Sequence, residues 1–352
     1  MVTPLVLLAG TLTSLAGNQL LGISWDIDGL APGGVFEFAR NGSAAELAPF
    51  KDNLRTLDSV SDDAGTLHLV VSGCTLAPFL PRSGGGGGGG GGRFGTPVRV
   101  DASRCDAGCC FEEWHYSGGG SAVALALGWR APNGTITNAV VSIDLRTGAA
   151  TEVVAFDAAC AVVSDASAYS RTSSTLWAWL ACDSSSRNAS IIAFDVAARA
   201  VRHEAWLERE FAIAPLLPTP DGKALLGLES GVGWVLIEQG GGGGAAPRNV
   251  TAPLPGIAED HTALLTHTAA AAAAAVAPLP PPSAVVAPPA AAAGHPAQQR
   301  TTLVSVVVYN SDFTPTPRRL LTHDIATGQQ VSSADIHFGV RELHLIPAAE
   351  RV

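Results

Sequence analysis

The stretch VSIDLRTG, residues Val141–Gly148, decides how the rest of the chain is interpreted. It contains an apolar run typical of a β-strand, then an aspartate, one more apolar residue and a tight turn that ends in Thr-Gly. Similar stretches are IAFDVAA at Ile192–Ala198 and LTHDIATG at Leu321–Gly328. An aspartate side chain can accept hydrogen bonds from the turn backbone, and glycine supplies the positive φ that such a turn needs. Each copy therefore predicts the end of one strand of a hairpin and the start of the next.

A second unit precedes other apolar runs. It reads DDAGTL at Asp62–Leu67 and PDGKAL at Pro220–Leu225, and in both places a turn leads into a strand. Alternating the two units gives four strands per repeat, labelled A to D in chain order. This pattern resembles the repeats of quinoprotein-like and YVTN-type β-propellers, in which a hairpin of the form spDGk-lyv precedes one of the form v-viD-atGk. The resemblance covers most of the chain and implies an architecture without an activity.

The spacing of the predicted C strands gives the number of repeats. Once two low-complexity insertions are set aside, successive C strands are about 40 to 55 residues apart, which suits one propeller blade. We expect an all-β chain that forms a single β-propeller of about six four-stranded blades. The predicted C strands begin near Val35, Val98, Ala139, Ser190, Gly233 and Arg318.

The two ends of the chain are expected to complete one blade. Gln19–Asp26 has the pattern of a B strand but no A strand before it, and Arg341–Pro347 has the pattern of an A strand with no B strand after it. Pairing these segments would close the ring and remove its exposed sheet edges.

The predicted propeller spans residues 18–350, with low-complexity insertions at 83–93, 240–246 and 269–299. Six prolines within Ala269–Ala293 of the last insertion exclude a membrane helix and favour an extended loop, placed between strands A and B of the sixth blade. Residues 1–17 are either a signal peptide or an apolar N-terminal strand. The run Leu5–Ala9 followed by Ser14 and Ala16 resembles the apolar region and cleavage site of a signal peptide, although no Lys or Arg precedes it.

Charge and motifs narrow the function classes. The 352 residues carry a net charge of −10, so they lack the basic surface that binds nucleic acid or anionic membranes. The sequence has no G-x-S-x-G, H-E-x-x-H or Walker A motif, and it leaves the cofactor unknown. Protein and carbohydrate ligands remain as partners, and the oligomeric state is not predicted.

Sequons and cysteines indicate a secretory or extracellular glycoprotein. N-glycosylation sequons are typical of proteins that pass through the secretory pathway. An even number of cysteines fits a set of disulfides, which form in the same oxidising compartments. The chain has four N-x-S/T sequons, at Asn41, Asn133, Asn188 and Asn249, and six cysteines, at positions 74, 105, 109, 110, 160 and 182.

The geometry of a blade predicts one disulfide. Cys160 and Cys182 lie in strands A and B of the fourth blade and should face each other across the turn at 170–174. Cys74 is expected to pair within the group formed by Cys105, Cys109 and Cys110, and the connectivity there is left open. Zinc is disfavoured, because this group lacks a second C-x-x-C or an H-x3-H partner.

The predicted A strands bring ionisable residues to the propeller axis. Carboxylates and histidines that converge there can bind a cation or act as general acid and base. The alternative interpretation is a set of acidic loop ends solvated on the rim. The candidates are Glu113, His115, Glu210, Asp260, His261, Arg341 and Glu342, and His344 lies at the same end.

The sequence predicts a secreted or extracellular propeller that acts as a binding or interaction scaffold. One alternative is a hydrolase, lyase or cyclase with the acidic and histidine site on the axis. Another is a structural protein of an extracellular matrix or wall, suggested by the Pro/Ala tract. Trp177 and Trp179, two positions apart in a strand, are expected to pack between blades.

Overall fold

A computed structural model describes most of the predicted propeller. The described residues are 18–24, 33–38, 44–50, 56–72, 74–81, 91–182, 189–202, 208–209, 213–229, 232–238, 247–252, 254, 257–258, 264–269, 300–309, 318–336, 340 and 342–347. Within them the chain forms 27 strands in six antiparallel sheets and no helix. The protein is an all-β, six-bladed propeller, as predicted.

Each sheet is one blade, and its strands follow one another from the axis outward. The first blade contains β27 (Glu342–Pro347), β1 (Asn18–Ser24), β2 (Gly34–Phe38) and β3 (Ala44–Pro49). The second contains β4 (Thr56–Ser61), β5 (Leu67–Val71), β6 (Thr75–Pro81) and, both paired with β6, β7 (Gly92–Phe94) and β8 (Val98–Arg99). The third contains β9 (Phe111–Gly118), β10 (Ser121–Arg130), β11 (Ile136–Asp144) and β12 (Ala150–Phe156).

The remaining three blades follow the same order. The fourth contains β13 (Ala161–Ser170), β14 (Thr175–Ala181), β15 (Ala189–Asp195), and β16 (Ala200–Arg202) and β17 (Glu208–Arg209), both paired with β15. The fifth contains β18 (Leu216–Pro218), β19 (Ala224–Glu229), β20 (Gly233–Glu238) and β21 (Arg248–Asn249). The sixth contains β22 (Ile257–Ala258) and β23 (Leu264–Ala269), both paired with β24 (Arg300–Tyr309), then β25 (Arg318–Asp324) and β26 (Gln330–Ile336).

The two ends of the chain close the ring, as the sequence predicts. Strand β1 pairs antiparallel with β27, from Asn18 opposite Pro347 to Ile23 opposite Glu342. The innermost strand β27 contacts β4 on one side and β23 on the other, and β4, β9, β13 and β18 follow one another around the axis. The first blade is therefore built from both ends of the chain, and the other five are each built from one continuous segment.

Five of the six predicted C strands are confirmed, and the one near Val98 is wrong. In the second blade the third strand is β6, and Val98 lies in the short outer strand β8. Pro78 and Pro81 hide the strand pattern of β6 in the sequence. The outer position of this blade is shared by two short strands, β7 and β8, each of which pairs with a different part of β6.

The C-to-D turns have the chemistry that the repeat predicts. Asp144 Oδ1 accepts hydrogen bonds from the backbone N–H of Arg146 at 2.9 Å and of Thr147 at 2.7 Å. Gly148 follows with φ of +73°, and Gly328 closes the equivalent turn with φ of +70°. In the fourth blade Arg199 takes this conformation instead, with φ of +54°.

The apolar core lies between neighbouring blades. Trp177 and Trp179 of β14 are fully buried against Leu225 and Val235 of the fifth blade. Ala178, between them, faces the cluster that includes the third blade. This alternation confirms the predicted packing of the two tryptophans and follows from the two-residue period of a strand. Burying a side chain of this kind contributes on the order of 2–3 kcal/mol.

Several sequence predictions fall on residues outside those described. The N-terminal segment and most of the predicted insertions therefore remain expectations. The ranges concerned are 1–17, 82–90, 239–246 and 270–299. Across the described part of the chain, no helix has the length and apolar character needed to cross a membrane.

Candidate functional site

The innermost strands carry a hydrogen-bonded cluster at the boundary between the third and fourth blades. Ser167 of β13 donates a hydrogen bond from Oγ to Glu113 Oε2 of β9 at 2.5 Å. His115 Nε2, two positions further along β9, is 2.6 Å from the same hydroxyl oxygen. The Glu113 side chain is buried, so its carboxylate depends on these protein partners for solvation.

The same arrangement returns at the boundary between the first and second blades. Ser59 of β4 donates a hydrogen bond from Oγ to Glu342 Oε2 of β27. His344 Nε2 lies 2.6 Å from Ser59 Oγ and 3.2 Å from Glu342 Oε2. In both places a Glu-x-His pair on one inner strand faces a serine on the inner strand of the next blade.

A third carboxylate joins the second blade to the third. Asp58, which precedes Ser59 in β4, accepts a hydrogen bond at Oδ2 from the backbone N–H of Trp114 in β9, at 2.7 Å. Its Oδ1 accepts from the backbone N–H of Ser59 at 2.8 Å. Buried acidic side chains near the axis therefore link each of the first four blades to the next one in that series.

Glu113 has an unusual backbone conformation. Its φ is +57°, in the left-handed region that non-glycine residues rarely adopt. The register of β9 against β10 shifts here, since His115 pairs with Val123 while Glu112 pairs with Leu125. Such a β-bulge places one extra residue in a strand and redirects its neighbours. The bulge lies where Glu113 meets Ser167 and Trp114 meets Asp58.

The geometry of the cluster between the first and second blades differs from that of a Ser-His-acid triad. A triad places the serine at one ring nitrogen of the histidine and the acid at the other, so that the acid orients the ring. At the first boundary Ser59 Oγ and Glu342 Oε2 both lie beside Nε2 of His344. The part of the chain that the structure describes also contains no group of three His, Cys, Asp or Glu residues placed to hold a metal ion.

The structure places some of the predicted axial residues and leaves others outside the described ranges. Glu113, His115 and Glu342 lie on innermost strands, in the two Glu-x-His clusters. The others, Glu210, Asp260, His261 and Arg341, are not among the described residues. Sequence reasoning missed Asp58, Ser59 and Ser167, although the first two precede the predicted Asp62–Leu67 turn and so belong to an A strand.

Surface side chains link three blades near the C-terminal ends of the A strands, where each A strand turns into strand B. Arg171 Nη1 is 2.8 Å from Asp63 Oδ1, and Tyr116 donates its hydroxyl to Asp63 Oδ2 at 2.9 Å. The Arg171 guanidinium lies 5.2 Å from the centre of the Tyr116 ring. The hydrogen bond from Arg171, followed by that from Tyr116, lowers the pKa of Asp63 below its usual value. These contacts join the second, third and fourth blades.

All six cysteines are paired in three disulfides. Cys160 is bonded to Cys182, which is the bridge predicted across the hairpin of the fourth blade. Cys74 is bonded to Cys109, and Cys105 to Cys110, so the structure assigns the connectivity that the sequence left open. The Cys74–Cys109 bond ties the second blade to the segment that leads into the third.

The predicted glycosylation sites are described in part. Asn133, in the turn between β10 and β11, is exposed, and so is Asn249 in β21. Asn41 and Asn188 are outside the described residues.

Comparison with known proteins gives structural matches alone. No protein-family model matches the chain, and no curated protein matches it. Among solved structures, the β-propeller domain of Cps50 (Swd1) from Myceliophteria thermophila is 12% identical, with a TM-score of 0.39 over 86% of this chain and 80% of that one. The Dos1 propeller is 9% identical, with a TM-score of 0.39 over 88% of this chain and 69% of that one.

Proposed function

We propose that this protein is a disulfide-stabilised propeller of the secretory or extracellular compartment that acts as an interaction scaffold. One observation carries the proposal: the ionisable side chains of the described inner strands hydrogen-bond across blade boundaries. Glu113 bonds to Ser167, and Glu342 bonds to Ser59. Groups used in this way hold the ring together and present a fixed surface to a partner.

The compartment is supported by the cysteines and the sequons. Disulfides persist in oxidising compartments and are rare in the cytosol, and here every cysteine is paired. The sequons at Asn133 and Asn249 have their asparagines on the exposed surface of the blades, from which a glycan can project into solvent.

The class of partner follows from the surface and the charge. The described B-to-C turn at 131–135 and the segment 100–110, which leads from the second blade to the third, lie at the end of the ring where the A strands begin. A rigid scaffold that carries loops is a common basis for binding sites. The net charge of −10 disfavours nucleic acid and leaves protein and carbohydrate ligands.

A second candidate, an axial hydrolase or lyase, is favoured by one observation. Glu113 combines a buried carboxylate with a left-handed backbone, and strained residues of this kind are concentrated at functional sites. This candidate assigns Glu113 and His115 the roles of acid and base, with Ser167 between them.

One experiment separates the two candidates. The full chain, secreted from a eukaryotic host, is applied to arrays of extracellular proteins and glycans, and in parallel to a panel of chromogenic esters, glycosides and uronides. A scaffold gives saturable binding to an arrayed ligand and releases no chromophore. Turnover that is lost in both Glu113→Gln and His115→Gln, but kept in the surface variant Ser333→Ala, would establish the enzyme instead. Absence of both binding and turnover would count against the scaffold.

A further inference from the structure

A groove opens beside the Cys74–Cys109 disulfide, between the second and third blades. Its volume is about 780 Å³. One wall is formed by Ser72, Cys74 and Thr75, and the other by the segment that leads from β8 to β9. The side chains that matter for the argument are Cys74, Cys109, Arg99, Asp101, Ser72 and Ser103.

The Cys74–Cys109 disulfide lines a groove that is open to solvent. Cys109 is an exposed residue and Cys74 is half-buried. In the neighbouring bridge, Cys110 is buried in the core cluster that also contains Trp129. In the hairpin bridge, Cys160 is buried and Cys182 is exposed, and neither residue lines this groove. A thiolate must approach a sulfur atom directly to open a disulfide, and the groove gives it an approach to Cys109 between charged side chains.

The groove carries one side chain of each charge. Arg99 is exposed, and it makes no ion pair with any residue that the structure describes. Asp101 Oδ1 accepts a hydrogen bond from the backbone N–H of Ser103 at 2.9 Å, which lowers the pKa of this carboxyl and keeps it anionic. Nearby Arg104 and Asp106 are already paired with other residues, at distances of 2.7 and 2.5 Å.

We propose that the Cys74–Cys109 disulfide is a site of reversible thiolation by a small zwitterionic thiol. Arg99 would attract the carboxylate of such a molecule, and Asp101 its ammonium group. Cysteine and short peptides that contain it belong to this chemical class. The proposal rests on the oxidising compartment of the proposed function, because the bridge must form first, but it requires no particular scaffold partner.

The exchange is balanced by two molecules of the thiol. The first thiolate attacks Cys109 Sγ, the exposed sulfur, and forms a mixed disulfide while Cys74 Sγ leaves as a thiolate. A second thiolate attacks the sulfur of the bound molecule and releases the small disulfide and the Cys109 thiolate. Two thiols are thereby oxidised to one disulfide, and the protein disulfide is reduced by two electrons. The small disulfide reverses both steps.

Opening this bridge removes the covalent tie between two blades. The backbone hydrogen bond from Val100 N–H to the Cys74 carbonyl, at 2.9 Å, also joins these segments and needs no sulfur. The Cys105–Cys110 bond stays within the segment that leads to β9. Thiolation would therefore loosen the loops at one end of the ring and leave the blades themselves intact.

The test is selective exchange in the folded full chain. Protein secreted from a eukaryotic host is incubated with reduced glutathione, quenched with acid, alkylated and mapped as unreduced peptides. The expected result is a glutathione adduct on Cys109 and an alkylated Cys74, with Cys105–Cys110 and Cys160–Cys182 intact and the circular dichroism unchanged. Earlier opening of either other bridge, or opening of all three together, would overturn the proposal.

The charge of the groove is tested with matched thiols. Since exposed charge pairs contribute about 0.2–1 kcal/mol, Arg99→Gln should slow exchange with glutathione by about 1.4- to 5-fold. The rate with neutral 2-mercaptoethanol should stay at the wild-type value. The control variant Arg93→Gln, exposed on β7 of the same blade and outside the groove, should leave both rates unchanged. Equal slowing with both thiols would show that Arg99 has no role in recognition. A chain that binds its partner normally but fails this test would refute the thiolation proposal without contradicting the scaffold proposal.

Discussion

Ser167 and Glu113 are joined by a hydrogen bond of 2.5 Å that crosses the boundary between two blades. The equivalent bond from Ser59 to Glu342 crosses the boundary between the second blade and the first, the blade in which the two ends of the chain meet. A buried carboxylate is costly to desolvate, and a hydroxyl donor from the next blade offsets part of that cost only when the blades are docked. These bonds therefore make the folding of one blade depend on its neighbour.

The first prediction concerns this dependence. Ser167→Ala removes the hydroxyl donor and leaves the buried Glu113 carboxylate with fewer partners, so the free energy of unfolding should fall by about 1–3 kcal/mol. Urea denaturation followed by tryptophan fluorescence measures the change.

The control for the first prediction is Ser333→Ala, an exposed position on the outer strand β26. A surface substitution of this kind should change stability by no more than about 0.5 kcal/mol. Equal unfolding midpoints for the two variants would show that the bond between Ser167 and Glu113 contributes nothing to the ring.

The second prediction concerns the Cys160–Cys182 bridge. The register of β13 against β14 pairs Ala161 with Ala181 directly beside the disulfide. Replacing both cysteines by Ala should destabilise the protein by about 3 kcal/mol, because the bridge restricts the unfolded chain. The melting temperature should fall under oxidising conditions and differ little from wild type under reducing ones. Free alkylation of both cysteines in the folded, unreduced protein would rule the bridge out.

How far the sequence can predict this fold depends on the range of the interactions. The turn at Asp144 and Gly148 is predictable, because its hydrogen bonds and its positive φ arise within a few residues. Strand β6 is not predictable in the same way, because its prolines obscure the strand pattern in the sequence. The bond between Ser59 and Glu342 joins residues 283 positions apart, and a serine in a short strand carries no sign of such a partner. The axial location and two of its acids, Glu113 and Glu342, were therefore predictable, whereas Asp58 and the hydroxyl donors were not.

The third prediction compares two glycines with similar backbones. Gly148 and Gly134 have φ of +73° and +84°. A Cβ at Gly148 would overlap the backbone carbonyl oxygen of Arg99, whereas a Cβ at Gly134 meets no atom within 4 Å. Gly134→Ala should cost about 1–2 kcal/mol from the left-handed backbone alone. Gly148→Ala should cost a further 1–3 kcal/mol, roughly the range for a packed site that must shift.

Equilibrium unfolding of the two alanine variants gives the comparison. Because the backbone strain is common to both, the difference in their free energies of unfolding isolates the contact with Arg99. Equal losses would mean that the β8 segment moves away without cost and that the turn is not held against it.

The fourth prediction concerns the glycans. Glycosidase treatment of the secreted protein should increase its gel mobility, with glycans on at least two of the four sequons. In the folded blade, Thr251 Oγ1 of the Asn249 sequon is already bonded to the N–H of Trp234 at 3.0 Å, whereas Thr135 of the Asn133 sequon is exposed. Asn133 should therefore be the more fully occupied of the two. Mass spectrometry of Asn133→Gln and Asn249→Gln measures this, and an unmodified protein would remove the glycan support for the secretory compartment.

The last prediction concerns His323 and acid stability. This side chain lies in β25, is 5% exposed, and its Nδ1 has no hydrogen-bond partner among the described residues. Burial disfavours the imidazolium form and lowers the pKa of His323 below its usual value. The unfolded chain therefore binds a proton at this residue at a pH where the folded chain does not. Linkage then requires stability to fall as the pH drops below the unfolded pKa of about 6.5, by at most about 1.4 kcal/mol per pH unit.

His323→Gln removes this titration. At pH 8 the imidazole is neutral in both states, so the difference between variant and wild type there measures the cost of the substitution itself. Between pH 8 and 5 the free energy of unfolding of the wild type should fall more steeply than that of the variant, by the contribution of one proton. Below the folded pKa of His323 the two curves should run parallel again, since the folded and unfolded chains then bind the same number of protons at this site. Parallel curves over the whole range would mean that the folded protein accepts the proton as readily as the unfolded chain, and that burial of His323 has no part in acid sensitivity.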